Sequence, residues 1–174
     1  AKNTNLNVYA QHVDPTVMPE RSTGFVSSFV IKKIGAKGSL LNHSEHQLDS
    51  SSIWNIMSDL DENKLKTILC VPTLKTAKEL IKLKPYAMAF EDLNLIVTGK
   101  SITNYRSEDA RKFAEMLRYT KIIPLCGAGI STADDVRESY RLGCRGVLIA
   151  SAIVKHSIKK AEKLLKEINA LHHQ

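Results

Sequence analysis

Long hydrophobic runs are missing from this sequence, although 43% of its residues are hydrophobic. A helix that crosses a bilayer needs about 20 consecutive apolar residues, and no run of eighteen or more occurs here. The first five residues, Ala-Lys-Asn-Thr-Asn, are mostly polar and lack the apolar stretch of a signal peptide. We therefore expect a soluble, cytoplasmic protein with no membrane partner.

Cysteine is also scarce, with only Cys70, Cys126 and Cys144 present. The count is odd, and the spacings match no zinc or redox motif. Each of the three lies among apolar residues or next to glycine, which favours buried, reduced thiols. Reduced thiols agree with a cytosolic origin, and no metal site is predicted.

Charge of one sign is not concentrated anywhere, despite a net charge of +7. Residues 1–90 carry 11 positive and 8 negative side chains, and residues 91–174 carry 14 and 10. The lysines at 75–84 and 155–166 stand in mixed helical patterns, which are typical of solvated helix faces. We predict no nucleic-acid partner, because no basic arm or patch emerges. A mildly basic surface would instead attract small anionic metabolites.

Six short apolar runs recur along the chain, each followed by an amphipathic pattern. The runs are continuous rather than alternating, which is typical of parallel strands buried on both faces. Their spacing fits either a doubly wound sheet or a barrel, and the length suits a single domain over residues 1–174. The predicted strands are 7–13, 38–42, 66–71, 86–90, 121–126 and 145–150, and the predicted helices are 26–34, 53–60, 74–83, 108–117, 133–142 and 158–171.

Polar and glycine-rich segments follow several of these predicted strands. His43 follows the second strand, Glu91 the fourth, and a Gly-Ala-Gly turn at 127–129 the fifth. Glycine lets backbone amides approach an anion closely, and ligand sites of α/β folds lie at the carboxyl ends of strands. We therefore predict one site that combines an imidazole, a carboxylate and a phosphate cradle. Taken singly, each of these residues also fits a structural role, such as a tight turn or a helix cap.

Five segments resemble successive signatures of the archaeal-type triosephosphate isomerase family, in the family's order. They are residues 8–14, 41–45, 90–91 with 98–100, 125–132 and 146–151, including an Asn-His-Ser-Glu motif and a Cys-Gly-Ala-Gly-Ile-Ser motif. The resemblance covers about residues 7–168 and matches the third to eighth β/α units of that family. It implies a TIM-type (β/α) barrel truncated to about six parallel strands.

This resemblance also implies an activity, namely interconversion of dihydroxyacetone phosphate and D-glyceraldehyde 3-phosphate. The implied partner is a small phosphorylated triose, with no metal or organic cofactor, and a homo-oligomeric state is expected. His43 matches the neutral electrophile and Glu91 the proton-transferring base of the family. Glu45 is expected to start the following helix. The residues that match the phosphate grip are Gly127, Ala128, Gly129, Ala150 and Ser151, and those that match the mobile lid are Val97, Thr98 and Gly99.

The sequence departs from the family pattern at several positions. Asp92 stands where a proline usually follows the base, and Val97 and Ala152 replace usual glycines. No strand before residue 7 carries the family's lysine, which supplies positive charge beside the substrate. Two hypotheses therefore stand: an isomerase, full or impaired, and a non-catalytic phosphate-binding or assembly protein on the same scaffold.

Overall fold

The computed structural model describes residues 4–15, 23–92 and 101–171. Five strands and eight helices occur within these ranges. The strands are β1 (Tyr9–Ala10), β2 (Gly38–Leu41), β3 (Lys66–Val71), β4 (Ala87–Phe90) and β5 (Ile123–Cys126). The helices are α1 (Ser28–Lys33), α2 (Ser50–Glu62), α3 (Leu74–Leu80), α4 (Ile102–Tyr105), α5 (Ser107–Leu117), α6 (Ala133–Arg141), α7 (Ser151–Val154) and α8 (Ile158–Ala170), with a 3-10 turn at Ile81–Leu83 after α3.

The five strands form one parallel sheet in the order β1-β2-β3-β4-β5. Helices follow the strands in sequence, which is the arrangement of a β/α barrel. The predicted TIM-type β/α fold is confirmed, with five strands in the described residues where about six were predicted. The sixth predicted strand, 145–150, contributes a single parallel bridge between Val147 and Cys126. Within the described ranges, no helix is long and apolar enough to cross a membrane.

The chain separates into two compact units. One comprises Ala1–Cys70 and Leu80–Ala87, and the other comprises Val71–Glu79 and Met88–Gln174.

The core of the first unit forms between its helices and strands β2 and β3. In α2, Ile53, Ile56 and Leu60 are buried, at the spacing that aligns side chains on one helix face. Asp49 caps this helix by accepting a hydrogen bond from the Ser52 amide at 2.9 Å, so α2 begins earlier than predicted. At the start of β2, a Cβ on Gly38 would lie 1.9 Å from the Lys66 carbonyl oxygen, so only glycine permits this strand pairing.

The second unit buries the apolar face of α5 against the end of β4. The rings of Phe90 and Phe113 stack with centroids 5.3 Å apart. Helix α6 begins with a capping box in which Thr132 and Asp135 each accept the other's amide hydrogen bond. It ends before Gly143, whose φ of +98° favours glycine. The helix was predicted over residues 133–142, so its start is confirmed and its end lies one residue earlier.

The three cysteines are free and buried, as predicted. Cys126 and Cys144 place their sulfurs 3.2 Å apart. A hydrogen bond between the two thiols and burial both raise the pKa of Cys126. Cys126 is therefore a protonated thiol at neutral pH.

Candidate functional site

The turn that carries His43 is held by its neighbour Asn42. Asn42 adopts a left-handed φ of +58°, which asparagine tolerates better than most residues. Its side-chain amide donates to the Cys70 carbonyl at 2.9 Å, and its side-chain oxygen accepts from the Leu48 amide at 2.9 Å. Asn42 thus connects the end of β2 to β3 and to the far end of the turn. Sequence reasoning did not assign it this role.

The His43 imidazole is partly exposed, with 28% of its side chain accessible. Its Nδ1 accepts a hydrogen bond from the Glu45 amide at 3.3 Å. An imidazole nitrogen that accepts is unprotonated, so the ring proton lies on Nε2. His43 therefore offers an N–H donor, as an electrophile for a carbonyl oxygen requires.

Glu45 does not begin a helix, contrary to the sequence-based expectation. The following helix begins at Ser50, with Asp49 as its cap, and Glu45 lies in the turn between His43 and that helix. Its carboxylate is 3.7 Å from the His43 Nδ1 and is 83% exposed. Asp49 fixes the helix start, because its side chain accepts a hydrogen bond from the amide of Ser52.

Glu91 lies directly after β4 and is 95% buried. Its amide donates to the Val71 carbonyl at 3.1 Å, and the Gly127 amide donates to the Phe90 carbonyl at 2.9 Å. A Cβ on Gly127 would lie 2.4 Å from the Glu91 Oε1. The absence of a side chain at Gly127 therefore lets the carboxylate lie against the glycine-rich turn. The structure brings these two predicted site residues together.

Asp92, which replaces the family's usual proline, is tied to Arg106. The Arg106 Nη1 lies 2.6 Å from the Asp92 Oδ2, and the Asp92 side chain is 7% exposed. Arg106 also forms an ion pair with Asp109, and its hydrogen bond to Asp109 is the main cause that raises the pKa of Arg106. The ion pair between Arg106 and Asp92 holds the residue directly after the candidate base Glu91 in place. No sequence signal predicts it, because the two residues lie 14 positions apart without a periodic pattern.

The glycine-rich turn after β5 has two consecutive residues with left-handed φ, Ala128 at +67° and Gly129 at +72°. The Ala128 carbonyl accepts from the Ile102 amide at 3.2 Å. Beyond the turn, the Asp135 Oδ2 accepts hydrogen bonds from the amides of Ser131 and Thr132, both at 3.0 Å. Burial raises the pKa of Asp135, but these hydrogen bonds outweigh burial and lower it below its ordinary value.

Ala150 and Ser151 begin α7, where the Ala150 carbonyl accepts from the amides of Ile153 and Val154 at 3.0 Å. The segment leading to them pairs with Cys126, since the Leu148 amide donates to the Cys126 carbonyl at 2.8 Å. Ala152, a departure from the family pattern, is buried. The predicted lid residues Val97, Thr98 and Gly99 lie outside the residues that the structure describes.

The fold and these side chains define a TIM-type β/α protein with an imidazole, a buried carboxylate and a glycine-rich turn directly after its parallel strands. Residues 1–168 match the protein family described as Triosephosphate isomerase. This chain belongs to the triosephosphate isomerase family.

Known relatives agree with this assignment. The chain is 36% identical to the triosephosphate isomerase of Methanocaldococcus jannaschii, over 96% of this chain and 76% of the relative. It is 34% identical to that of Methanothermus fervidus, over 97% of this chain and 77% of the relative. The archaeal character implied by the motifs is therefore confirmed. The chain spans about three quarters of the length of these curated relatives.

Solved structures support the fold. The structure described as "Native KDPGal structure" has a TM-score of 0.62 at 10% identity, and it covers 91% of this chain and 66% of that chain. The Amycolatopsis orientalis BexX/CysO complex has a TM-score of 0.57 at 18% identity, covering 84% of this chain and 62% of that chain. This chain thus spans less than two thirds of those structures. At these identities the likeness shows the β/α fold and nothing about the reaction.

Proposed function

We propose that this chain catalyses triosephosphate isomerase chemistry, the interconversion of dihydroxyacetone phosphate and D-glyceraldehyde 3-phosphate. The observation that carries the proposal is the Glu91 carboxylate, which is buried after β4 and lies against Gly127 because that residue has no side chain. A base at this position lies beside the turn that matches the family's phosphate grip. Family membership supports the substrate class.

The proposed reaction moves one proton between neighbouring carbons. Glu91 removes a proton from the carbon next to the substrate carbonyl, and the C–H electron pair forms the enediolate double bond. The His43 Nε2–H donates to the carbonyl oxygen, on which negative charge develops. The hydroxyl proton on the oxygen of the first carbon moves to the former carbonyl oxygen, which leaves a new carbonyl at the first carbon, and Glu91 returns its proton to the other carbon. The proton held by Glu91 can exchange with solvent before it returns. No electrons leave the substrate, so the proposal includes no redox cofactor, and it includes no metal.

The phosphate group of the triose is assigned to the backbone of the glycine-rich turn and of the start of α7. The left-handed residues of the turn support this assignment, because such backbone can direct consecutive amides toward an anion. The proposed contacts are Gly127, Ala128, Gly129, Ala150 and Ser151, with Val97, Thr98 and Gly99 as the proposed lid.

A polypeptide of these 174 residues is expected to turn over slowly. It contains no residue matched to the family's lysine, and loss of one preorganised charge-stabilising group costs about 10²–10³ in rate. The alternative is a non-catalytic phosphate-binding or assembly protein on the same scaffold. It is supported by Asp92, paired with Arg106, and by Ala152, which is buried where the family has glycine.

Proton exchange into the substrate tests the proposal more sensitively than net conversion. Dihydroxyacetone phosphate incubated with the purified protein in D2O should gain deuterium at its reacting carbon, as measured by NMR. Exchange should disappear in Glu91→Gln and remain in His156→Gln, which alters an exposed histidine with no proposed role. Phosphate binding without any exchange would favour the non-catalytic alternative.

We also propose a cytoplasmic homo-oligomer. The family and the three free cysteines support the location. Self-association is supported by exposed apolar side chains in and beside α1, including Phe29, Val30 and Ile34, which are 56%, 52% and 77% exposed. Clustered exposed apolar surface of this kind marks protein interfaces. Light scattering over a concentration series tests the oligomeric state.

A further inference from the structure

Three side chains with metal-binding atoms converge in the first unit. His12 and Asp14 follow β1, and His46 lies in the turn after β2. One ligand atom of each lies within 4.8 Å of the corresponding atoms of the other two. No other group of three such residues converges in this way in the described part of the chain. The proposed reaction does not use this cluster.

The pair of His12 and Asp14 already has the spacing of two ligands on one ion. Its Nε2 and Oδ1 lie 3.2 Å apart, and two ligands of a tetrahedral zinc ion, with bonds of about 2.0–2.2 Å, lie roughly 3.3 Å apart. The two side chains are 16% and 20% exposed, so the pair is partly shielded yet accessible to an ion from solution.

Asp14 is held in place by a separate set of contacts. Its Oδ2 accepts from the Val26 amide at 2.7 Å, and its own amide donates to the Val26 carbonyl at 2.9 Å. These bonds leave Oδ1 directed at His12. Hydrogen bonds that orient a ligating group are a general feature of metal sites and strengthen binding.

His46 supplies the third ligand from the neighbouring loop. Its ring stacks on that of His12 with centroids 3.8 Å apart and an interplanar angle of 18°. In this arrangement the two rings lie face to face, so the His46 ring must rotate to direct a nitrogen at the same point as His12. Its side chain is exposed and rotation toward the shared point meets little packing.

We infer that His12, Asp14 and His46 form a binding site for a divalent transition-metal ion, with Zn²⁺ as the ion that the ligands fit best. Two imidazoles and one carboxylate are a common zinc ligand set with a fourth position left for water. Imidazole nitrogen disfavours Mg²⁺ and Ca²⁺, which prefer oxygen ligands. The site joins the loops after β1 and β2.

Ion binding would also restrain the turn that carries His43. The His46 amide donates to the His43 carbonyl at 2.8 Å, so fixing the His46 side chain fixes the backbone next to the proposed electrophile. The inference does not depend on isomerase activity, because the ion can be measured by binding alone.

Zn²⁺ titration of untagged, chelator-treated protein tests the inference. Because the chain also contains His172 and His173, the titration is run in a background in which both are replaced by asparagine. Calorimetry should show one Zn²⁺ per chain, and Co²⁺ used as a probe should give the d–d absorption of a four-coordinate site. An excess of Mg²⁺ should not compete.

Variants of the ligands give the decisive comparison. His46→Asn should weaken Zn²⁺ binding at least tenfold without loss of folding, since its side chain is exposed, and Asp14→Asn should weaken it similarly. His156→Asn, which changes an exposed histidine outside the cluster, should bind as the background does. Absence of Zn²⁺ binding in the background, or unchanged affinity in His46→Asn, would overturn the inference. Circular dichroism of Asp14→Asn shows whether this variant is folded, which separates lost binding from lost folding. If Asp14→Asn is unfolded, the Zn²⁺ affinity of His46→Asn alone decides the inference.

Discussion

The two proposed catalytic residues are held by different means. His43 is partly exposed on a turn whose geometry depends on the hydrogen bonds of Asn42. Glu91 is buried, and its position depends on the empty space at Gly127. A hydrogen-bonded turn tolerates small displacements, whereas a close backbone approach tolerates no added atom. The His43 turn should therefore be destabilised by loss of hydrogen bonds, and the position of Glu91 by steric overlap.

The largest effect on stability is expected from Asn42→Ala. The substitution removes the hydrogen bonds of Asn42 with the Cys70 carbonyl and the Leu48 amide and places alanine at a left-handed φ. Loss of one buried and one partly buried hydrogen bond, together with the backbone strain, should lower the free energy of unfolding by about 2–4 kcal/mol. Chemical denaturation measures the loss. Asn42→Gly, which relieves the strain alone, should recover only part of it, and full recovery would show that the hydrogen bonds contribute little.

Gly127→Ala should disrupt the close contact between Glu91 and the glycine-rich turn. Its new Cβ would overlap Glu91, so the carboxylate must move, at a cost of about 1–3 kcal/mol in unfolding free energy. Displacement of a reacting group by about 1 Å can reduce rate about 10²-fold, so deuterium exchange into substrate should fall at least that far. Ala128→Gly, which removes atoms from the same turn, is the matched control for stability. Wild-type exchange in Gly127→Ala would refute the steric argument.

Acid should affect the stability contributed by Asp135, which lies beyond the glycine-rich turn, but not the stability contributed by Asn42 in the His43 turn. The pKa of Asp135 is lowered in the folded protein, so its stabilising contribution is present at neutral pH and is lost as pH falls through that lowered pKa. Asp135→Asn should therefore lower the unfolding free energy by about 1–2 kcal/mol at pH 7. The difference from wild type should shrink below about pH 3.9, the ordinary pKa of aspartate. The Asn42 amide does not titrate, so the deficit of Asn42→Ala should stay nearly constant over the same range. A pH-independent deficit in Asp135→Asn would contradict this difference.

The smallest effect on chain stability is expected from Ile34→Glu. Ile34 is 77% exposed, and exposed substitutions usually change the unfolding free energy by less than about 0.5 kcal/mol. If the apolar surface near α1 is an oligomer interface, this change should nevertheless lower the mass measured by light scattering. Lys37→Glu, a nearby exposed change of charge, serves as control. An unchanged oligomer in Ile34→Glu would place the interface elsewhere.

Local patterns predicted most of the fold. The continuous apolar run at 66–71 is β3 as predicted, and the cap at Thr132 and the stop at Gly143 fix α6. The run at 7–13 shortens to two residues, and the run at 145–150 to one bridge, because apolar character does not determine how many residues find a ladder partner. An apolar run indicates which residues are buried, whereas the number of residues that pair in the sheet depends on the neighbouring strand.

The candidate site was predictable only in part. His43, Glu91 and the glycine-rich turn are visible as motifs after strands. The bond from Asn42 to Cys70 spans 28 positions, and His46 stacks on His12 from a different loop. Such contacts arise from the tertiary fold and leave no local pattern. The pairing of Asp92 with Arg106 is of the same kind.

Deuterium exchange into dihydroxyacetone phosphate tests the assignment of Glu91 as base and His43 as donor most directly. The wild-type 174-residue protein should show slow exchange, which Glu91→Gln abolishes, His43→Gln reduces at least tenfold and His156→Gln leaves unchanged. All four proteins need purification from a host that lacks its own isomerase, so that trace contamination is excluded. Exchange that survives Glu91→Gln unchanged would remove the carboxylate from the mechanism and contradict the proposed function.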